Sequence, residues 1–349
     1  MKLISTVASC ILIFSACAHA AEPAEGDEKI AEVAMSAGLD AFDEYRQLAP
    51  NANLKFNLIK HGDEPGKKPN WDGVRLRLAG NEISIPVPIE ANGTFILPRS
   101  KEAYDDDADV LVNLKKSQVH FWLEVRTPGI PPNARRLGDI RLECKVIMAI
   151  ARKELSFAQR ALGNAAFRTT DWCSAPRASI GTQLPDWSIN TTVSFGGQRK
   201  VLPSHRASFA APIQDKSLPD DALIEFEFWG SATAERKQQF LAQWPLFVNT
   251  SMNKWGAGSK LIANEKGIYS AEMQLKPGSW QFNIESAGRE VNVGALQKNI
   301  VLPFGADHAM QWQGSKLSFK VEQAGAYDFA LNLQDPDHPV INLKRVESK

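Results

Sequence analysis

The sequence predicts a mostly β protein, made of antiparallel β-sandwich domains with a short N-terminal helix. From residue 54 onward, short runs alternate apolar and polar residues with a period of two. Gly, Pro and Asn interrupt these runs at short intervals, as turns between antiparallel strands do. The chain has 349 residues, a length that suggests about two domains.

The composition narrows the class of protein further. Lys plus Arg and Asp plus Glu each number 40, so the formal charge is zero and the pI is near 7. This balance argues against a nucleic-acid binder that works through a broad basic surface, and against an acidic solvating protein. Hydrophobic residues make up 44%, which is typical of a globular chain. The nine Trp residues exceed the four Tyr, and exposed Trp often stacks on sugars or partners.

Residues 1–20 have the pattern of a secretory signal peptide. Lys2 is followed by an apolar run, and the segment ends in Ala18-His19-Ala20, which predicts cleavage before Ala21. The apolar run is shorter than the roughly 20 residues that span a bilayer. Cleavage leaves 39 basic and 40 acidic residues, a formal charge of −1. We therefore expect a periplasmic or secreted protein.

A second processing pattern overlaps the first. Residues 14–17 read FSAC and look like a bacterial lipoprotein box, in which Cys17 would carry the lipid. Phe14 stands where Leu is usual. Contact with the membrane is expected only in this alternative, with the chain anchored to the envelope through Cys17.

If cleavage occurs before Ala21, Cys10 and Cys17 leave with the signal peptide, and only Cys144 and Cys173 remain. Cys144 and Cys173 have no CxxC partner and no nearby His, so a structural disulfide is favoured over a metal site or a catalytic thiol. The bond would close a loop of about 29 residues and stabilise the fold by roughly 3 kcal/mol.

The elements of the N-terminal part follow from local patterns. Apolar residues at helical spacing predict a helix over 26–48, and strands are expected around 54–58, 74–78, 119–125 and 140–150. Asn92-Gly93 and Gly196-Gly197 predict hairpin turns. A brief helix is expected around 156–162, with Ser156 as its cap.

The C-terminal part has the cleanest alternation. Phe282 and Ile284 alternate with polar neighbours, and the same pattern recurs over 224–228, 317–321 and 327–333. We divide the chain into a signal peptide (1–20), a helical leader (21–50), a β-rich domain with the disulfide (51–215) and a β-sandwich module (216–349).

Motifs for catalysis or cofactors are missing from the sequence. There is no dinucleotide, P-loop, zinc-protease, EF-hand or serine-hydrolase motif, so we predict no catalytic residue, no metal and no cofactor. The histidines of the mature chain are scattered, and the acidic residues at 105–109 lack the Gly of a calcium loop. Both sets are interpreted as structural or solvated.

An ordered series of short segments resembles the early-set β-sandwich modules of bacterial pullulanases and starch-binding outer-membrane proteins. The resemblance covers about residues 240–345. The segments are 246–249 (LFVN), 253–255 (NKW), 267–271 (GIYSA), 275–284 (LKPGSWQFNI), 291–295 (VNVGA), 317–321 (LSFKV), 324–329 (AGAYDF) and 335–340 (DPDHPV).

The resemblance implies a shallow sugar site on the outward side of one strand. In the similar modules a Lys tends to stand at the position of Asn283, and an aromatic residue follows to stack on a glucose ring. Here that stretch reads Ala287-Gly288-Arg289, while Asn292 on the next strand is retained. Trp280 shares a face with Phe282 and is expected in the core. Trp255 and Trp312 are candidates for a replacement stacking surface.

Three functions remain open at this point. The first is an exported, non-catalytic envelope protein with an α-glucan-type module whose sugar site is degenerate. The second is a glycoside hydrolase or another carbohydrate-active enzyme with its chemistry in 51–215, for which no pair of carboxylates stands out. The third is a structural protein that binds another envelope protein. The expected partners are thus a glycan or an envelope protein.

Overall fold

The computed structural model of the protein describes residues 27–61, 69–175, 180–184, 186–203, 208–255 and 258–347. These residues are mostly β, with antiparallel sheets and few helices, which confirms the predicted fold class. They form two compact units. Unit 1 contains the described residues up to Leu184 together with 190–203 and Ser208–Phe226; unit 2 contains 186–189 and 227–347. The predicted signal peptide and Cys17 lie outside the described residues.

The N-terminal helix of unit 1 is shorter than predicted. Residues Asp27–Ala31 form a strand, β1, and the helix α1 spans Glu32–Glu44. Strand β1 pairs antiparallel with a later strand, so its backbone bonds belong to a sheet. Helix α1 buries Ala34, Met35, Ala41 and Phe42, the face that the helical spacing indicates.

Unit 1 begins with two small sheets over a common core. Their elements are β2 (Asn53–Lys60), β3 (Leu76–Ala79), β4 (Ser84–Val87), β5 (Thr94–Phe95), α2 (Lys101–Asp105), β6 (Asp109–Lys115) and β7 (Val119–Arg126). The sheet orders are β1-β6-β3-β4 and β5-β2-β7. Gly93 forms a tight turn with φ +87°, but the strands on either side of it join different sheets, so the predicted hairpin pairing there is wrong.

The strand predicted over 140–150 is wrong, because these residues lie inside a long helix, α3 (Leu137–Glu154). Ile140, Leu142, Cys144 and Val146 are all buried at every second position, which imitates a strand. The charged residue Glu143 between them is buried as well. The helix is therefore surrounded on several sides. The alternation of apolar and polar residues in its sequence does not separate a buried face from an exposed one.

The remaining described elements that lie wholly or mostly in unit 1 are one helix and short strands. They are β8 (Ala134–Arg136), α4 (Phe157–Phe167), β9 (Ile180–Gln183), β10 (Ser188–Phe195), β11 (Gln198–Leu202), β12 (Ser208–Ala211) and β13 (Leu223–Phe228). Ser156 caps α4 through a capping box with Gln159, as predicted. Strands β10 and β11 form the predicted hairpin at Gly196-Gly197, where both glycines have positive φ.

The predicted disulfide is present between Cys144 and Cys173. It joins α3 to a 3₁₀ turn, Trp172–Ser174. Both cysteines are buried.

Unit 2 has a β-rich, sandwich-like fold with one helix. Its elements are α5 (Ala234–Ala242), β14 (Leu246–Thr250), β15 (Ser259–Lys260), β16 (Ile262–Ala263), β17 (Ile268–Leu275), β18 (Gly278–Ser286), β19 (Asn292–Ala295), β20 (Val301–Leu302), β21 (Asp307–Trp312), β22 (Leu317–Val321), β23 (Gly325–Asn332) and β24 (Val340–Arg345). Phe282, Phe319 and Phe329 meet edge to face at its centre, with ring centroids 5.3–5.8 Å apart.

The apolar positions of the predicted alternation in unit 2 are buried, but on β18 the polar residue Asn283 between them is buried as well, at 8% exposed. Phe282 and Ile284 are fully buried on β18, and the apolar positions of β22 and β23 are buried as well. Trp280 is half-buried against this core, and its Nε1 donates to the carbonyl oxygen of Lys276 at 2.8 Å. No helix in the described part of the chain is both long enough and apolar enough to cross a membrane.

Candidate functional site

Two of the candidate residues, Asn283 and Asn292, lie on the outward side of neighbouring strands in unit 2. Asn283 on β18 pairs with Asn249 on β14, and Glu285, two residues further along β18, pairs with Asn292 on β19. Residues paired across antiparallel strands share a face. We call this surface, formed by Asn249, Asn283, Glu285 and Asn292, the amide face.

Glu285 organises the amide face through its carboxylate. One oxygen accepts from the Nδ2 of Asn249 at 3.0 Å, and the other accepts from the Nδ2 of Asn283 at 2.9 Å. The Nε of the exposed Arg289 lies 3.5 Å from the same carboxylate. The side chain of Glu285 is only 12% exposed, and its carboxylate is held by two amide donors and the nearby guanidinium of Arg289.

Both candidate amides of this surface present an acceptor without a donor. The Oδ1 atoms of Asn283 and Asn292 are buried and have no hydrogen-bond partner among the described residues. A buried acceptor without a donor costs about 1–3 kcal/mol. A ligand hydroxyl group would be stabilised there, but only after the side chains that cover the two oxygens move, because both oxygens are shielded from solvent.

Trp255 is the exposed aromatic candidate of unit 2. It follows β14, and its backbone N–H donates to the carbonyl oxygen of Thr250 at 3.0 Å. Its φ of +61° is in the left-handed region, which is rare for a large side chain. Trp255 is 36% exposed. Every other Trp that the structure describes is buried or partly buried.

A contact across β18 fixes the position of the Trp255 ring. The Nζ of Lys316 lies 4.0 Å from the ring centroid, a cation–π distance. Lys316 precedes β22, which pairs with one edge of β18, whereas Trp255 follows β14, which pairs with the other edge. The pair therefore joins residues from the two edges of β18, where Thr250 and Leu317 both pair with Phe282. Lys316 covers one face of the indole ring.

The fourth candidate, Trp312, lies in a different environment. Its ring packs against Trp229 at 5.2 Å and Trp187 at 5.8 Å, and Trp187 also contacts Phe240 at 5.5 Å. We call Trp187, Trp229, Phe240 and Trp312 the tryptophan cluster. The Nε1 of Trp312 donates to the carbonyl oxygen of Pro336 at 2.6 Å.

An ion pair completes the tryptophan cluster. The Nζ of Lys237, on α5, lies 2.7 Å from both carboxylate oxygens of Asp337, and one of these oxygens accepts from the Nε1 of Trp229 at 3.0 Å. Lys237 is 5% exposed and lies over the Trp229 ring at 5.3 Å. The arrangement joins α5 to the loop before β24.

Carboxylates in unit 1 bear on the enzyme alternative. Burial raises the pKa of Glu143, as it does in many general acids. Its carboxylate, however, accepts from the backbone N–H of Val125 at 3.0 Å and from Arg135 at 2.9 Å. Asp139, one turn earlier on α3, accepts from the N–H and the hydroxyl of Thr127. Both carboxylates thus hold α3 in place.

The histidines and acidic residues form smaller groups. The Nε2 of His61 and the Nδ1 of His120 lie 3.3 Å apart, and burial, with a smaller contribution from His61, lowers the pKa of His120. Asp106 accepts from the backbone N–H groups of Glu82 and Ile83. Within the ranges that the structure describes, no group of three or more His, Cys, Asp or Glu could hold a metal ion.

Sequence reasoning identified some of these positions and missed others. The alternation along β18 places Glu285 on the same side as Asn283. Lys316 and the tryptophan cluster had no local signal, because their contacts join residues that are far apart in the chain. A scan of protein-family models gives no match for the chain, and a search of curated proteins gives none either.

Proposed function

We propose that the protein is an exported, non-catalytic cell-envelope protein whose unit 2 is a carbohydrate-binding-like module of the α-glucan type. Its contact surface is the amide face together with Trp255. The site is reduced compared with the starch-binding modules that the sequence resembles, since residues 287–289 hold no aromatic side chain.

The single observation that carries this proposal is the presence in unit 2 of an exposed indole together with amide oxygens that have no donor. Lys316 lies over one face of the Trp255 ring, so a pyranose would stack on the other face. Its hydroxyl groups would donate to the Oδ1 atoms of Asn283 and Asn292 once the side chains that cover these buried oxygens move aside. A sheet surface of this kind suits a weak, shallow site.

Export is supported by two independent features. Residues 1–20 have the pattern of a signal peptide, and the Cys144–Cys173 bond is of the kind that persists in oxidising compartments. Intact mass of the exported protein tests this part, because cleavage before Ala21 and lipidation at Cys17 give different masses. A mass that retains residues 1–20 would contradict export by either route.

Retention on insoluble starch tests the glycan site. We expect the wild-type protein to be depleted from solution, and Trp255→Ala to weaken retention by about two- to tenfold, the range that one lost aromatic contact gives. Tyr104→Ala is the matched control: this aromatic residue of unit 1 is 50% exposed, and its removal should leave retention unchanged.

Two results would overturn the proposal. Wild-type protein that starch fails to deplete, and that no glucan on a glycan array retains, would exclude the α-glucan site. Release of reducing ends from a polysaccharide, abolished by one Asp or Glu substitution within 51–215, would establish the enzyme alternative instead.

A further inference from the structure

Helix α4 presents an apolar face to solvent. At 100° per residue, one side of the helix carries apolar residues only. These are Phe157, Ala158, Ala161, Leu162, Ala165 and Ala166. All six are exposed, Phe157 at 81% and Leu162 at 71%. This is the reverse of an ordinary surface helix, which buries its apolar face.

The opposite side of α4 explains why the apolar face points outward. Asn164 accepts from the Nε1 of Trp172 at 2.9 Å, and the Phe167 ring lies 5.6 Å from the Trp172 ring. A Cβ at Gly163 would lie 2.3 Å from the Trp172 ring, so the helix approaches this indole as closely as its backbone allows. Rotating the helix to bury Phe157 would break all of these contacts.

Trp172 itself is firmly held. It is 7% exposed, lies under the guanidinium of Arg152 at 5.5 Å, and precedes Cys173, which is bonded to Cys144 in α3. The platform on which α4 rests is therefore covalently joined to the core helix of unit 1. The exposed face is a fixed part of the fold.

Cations flank α4 along the chain. Lys153 precedes α4, Arg160 lies on its flank and Arg168 caps its C-terminus, and all three are exposed. Between Arg152 and Arg168 the only acidic residue is Glu154. The segment thus has an apolar surface with a positively charged rim.

We propose that α4 is an interfacial helix that docks unit 1 onto an anionic lipid bilayer. Phe157 and Leu162 would enter the boundary between headgroups and acyl chains, and the cationic rim would contact the anionic headgroups. The helix is about 16 Å long, so its face alone is small for a stable dimer interface. The charge of the rim favours lipid over an apolar protein groove. This mode of contact is independent of lipidation at Cys17 and of any glycan site.

Flotation with lipid vesicles tests the proposal. The protein is isolated after export in a Cys17→Ser background, with the N-terminus of every variant checked by intact mass. We expect it to float with vesicles of phosphatidylglycerol and phosphatidylcholine, and to bind pure phosphatidylcholine vesicles about tenfold more weakly, with added salt reducing the difference.

Two double variants locate the contact. Phe157→Ser with Leu162→Ser should lose vesicle binding by about tenfold or more, since two large apolar side chains no longer enter the bilayer. Val201→Ser with Ile262→Ser is the matched control: these residues are exposed at 69% and 61% elsewhere, and their replacement should leave flotation unchanged. Circular dichroism that matches the wild type shows that both variants are folded.

Three outcomes would overturn the inference. They are no flotation of the Cys17→Ser protein with anionic vesicles, equal flotation of the Phe157→Ser, Leu162→Ser variant, and a wild-type dimer in sedimentation that this variant converts to a monomer. The last outcome would assign the face to a second copy of the chain.

Discussion

The two tryptophan-containing sites of unit 2 use their polar atoms in opposite ways. In the tryptophan cluster, the Nε1 atoms of Trp229 and Trp312 both have acceptors, and Lys237 is paired with Asp337. At the amide face, Trp255 is exposed and two amide oxygens lack donors. The first site has the polar contacts of a packed interior, while the second retains unused bonding capacity. Tryptophan content alone therefore does not identify a binding surface.

The largest expected effect is a difference in the free energy of unfolding between Trp→Ala variants at the two sites. Trp229→Ala should lower the free energy of unfolding by about 3–5 kcal/mol, because it leaves a cavity among three aromatic rings and removes a donor to Asp337. Trp255→Ala should change this free energy by less than about 0.5 kcal/mol. Urea unfolding followed by tryptophan fluorescence measures both. Equal losses in the two variants would remove the distinction drawn between the sites.

A smaller effect tests the unused acceptors. Asn292→Ala removes a buried oxygen that has no donor, so the free energy of unfolding should stay constant or rise by up to about 1 kcal/mol, while starch retention falls. Asn249→Ala is the control on the same surface. Its amide donates to Glu285 at 3.0 Å, so its removal should cost about 1 kcal/mol. A loss of stability in Asn292→Ala as large as in Asn249→Ala would show that Asn292 is a structural residue.

The smallest effect concerns pH and the loop beside the tryptophan cluster. The hydrogen bond to Asp335 raises the pKa of His338 above 6.5, and the same bond lowers the pKa of Asp335 below 3.8. The stabilisation is fully present at pH values between these two ordinary values. It is lost as the pH rises through the raised pKa of His338, and also as the pH falls through the lowered pKa of Asp335.

The measurement compares urea midpoints at about pH 5.5 and about pH 8. The wild-type midpoint should be slightly lower at the higher pH, and His338→Ala should remove that difference. Both side chains are largely exposed, so the change should be smaller than any of those above. A pH difference that persists unchanged in His338→Ala would assign it to another group.

Much of the fold could be predicted where a strand has one buried face. The alternation on β22 and β23 is confirmed, as are the disulfide and the Ser156 cap, while on β18 Asn283 is buried between two buried apolar residues. The same rule failed on α3, because this helix buries Glu143 together with its apolar neighbours, so burial there has no simple period. At β1 the local pattern favoured a helix, and pairing with β6 determined a strand instead.

The candidate site was less predictable from the sequence. Side chains alternate along a strand, so Asn283 and Glu285 are predicted on the same side of β18. The contacts that these two residues make with Asn249 depend on which strand lies next to β18. The Trp255–Lys316 contact requires two strands to pair with opposite edges of β18. The tryptophan cluster joins residues 187, 229 and 312. Contacts over such separations are set by topology, which local periodicity does not encode.

The position of α4 within the disulfide loop has a consequence for biogenesis. Cys144 and Cys173 enclose the whole of α4, and Trp172, on which the helix rests, precedes the second cysteine. Before oxidation, the helix and its platform are joined to α3 only through the continuous chain. If the protein is exported as proposed, this bond forms only after translocation into an oxidising compartment. The covalent link between the platform of α4 and α3 would then be absent until the protein has left the cytoplasm.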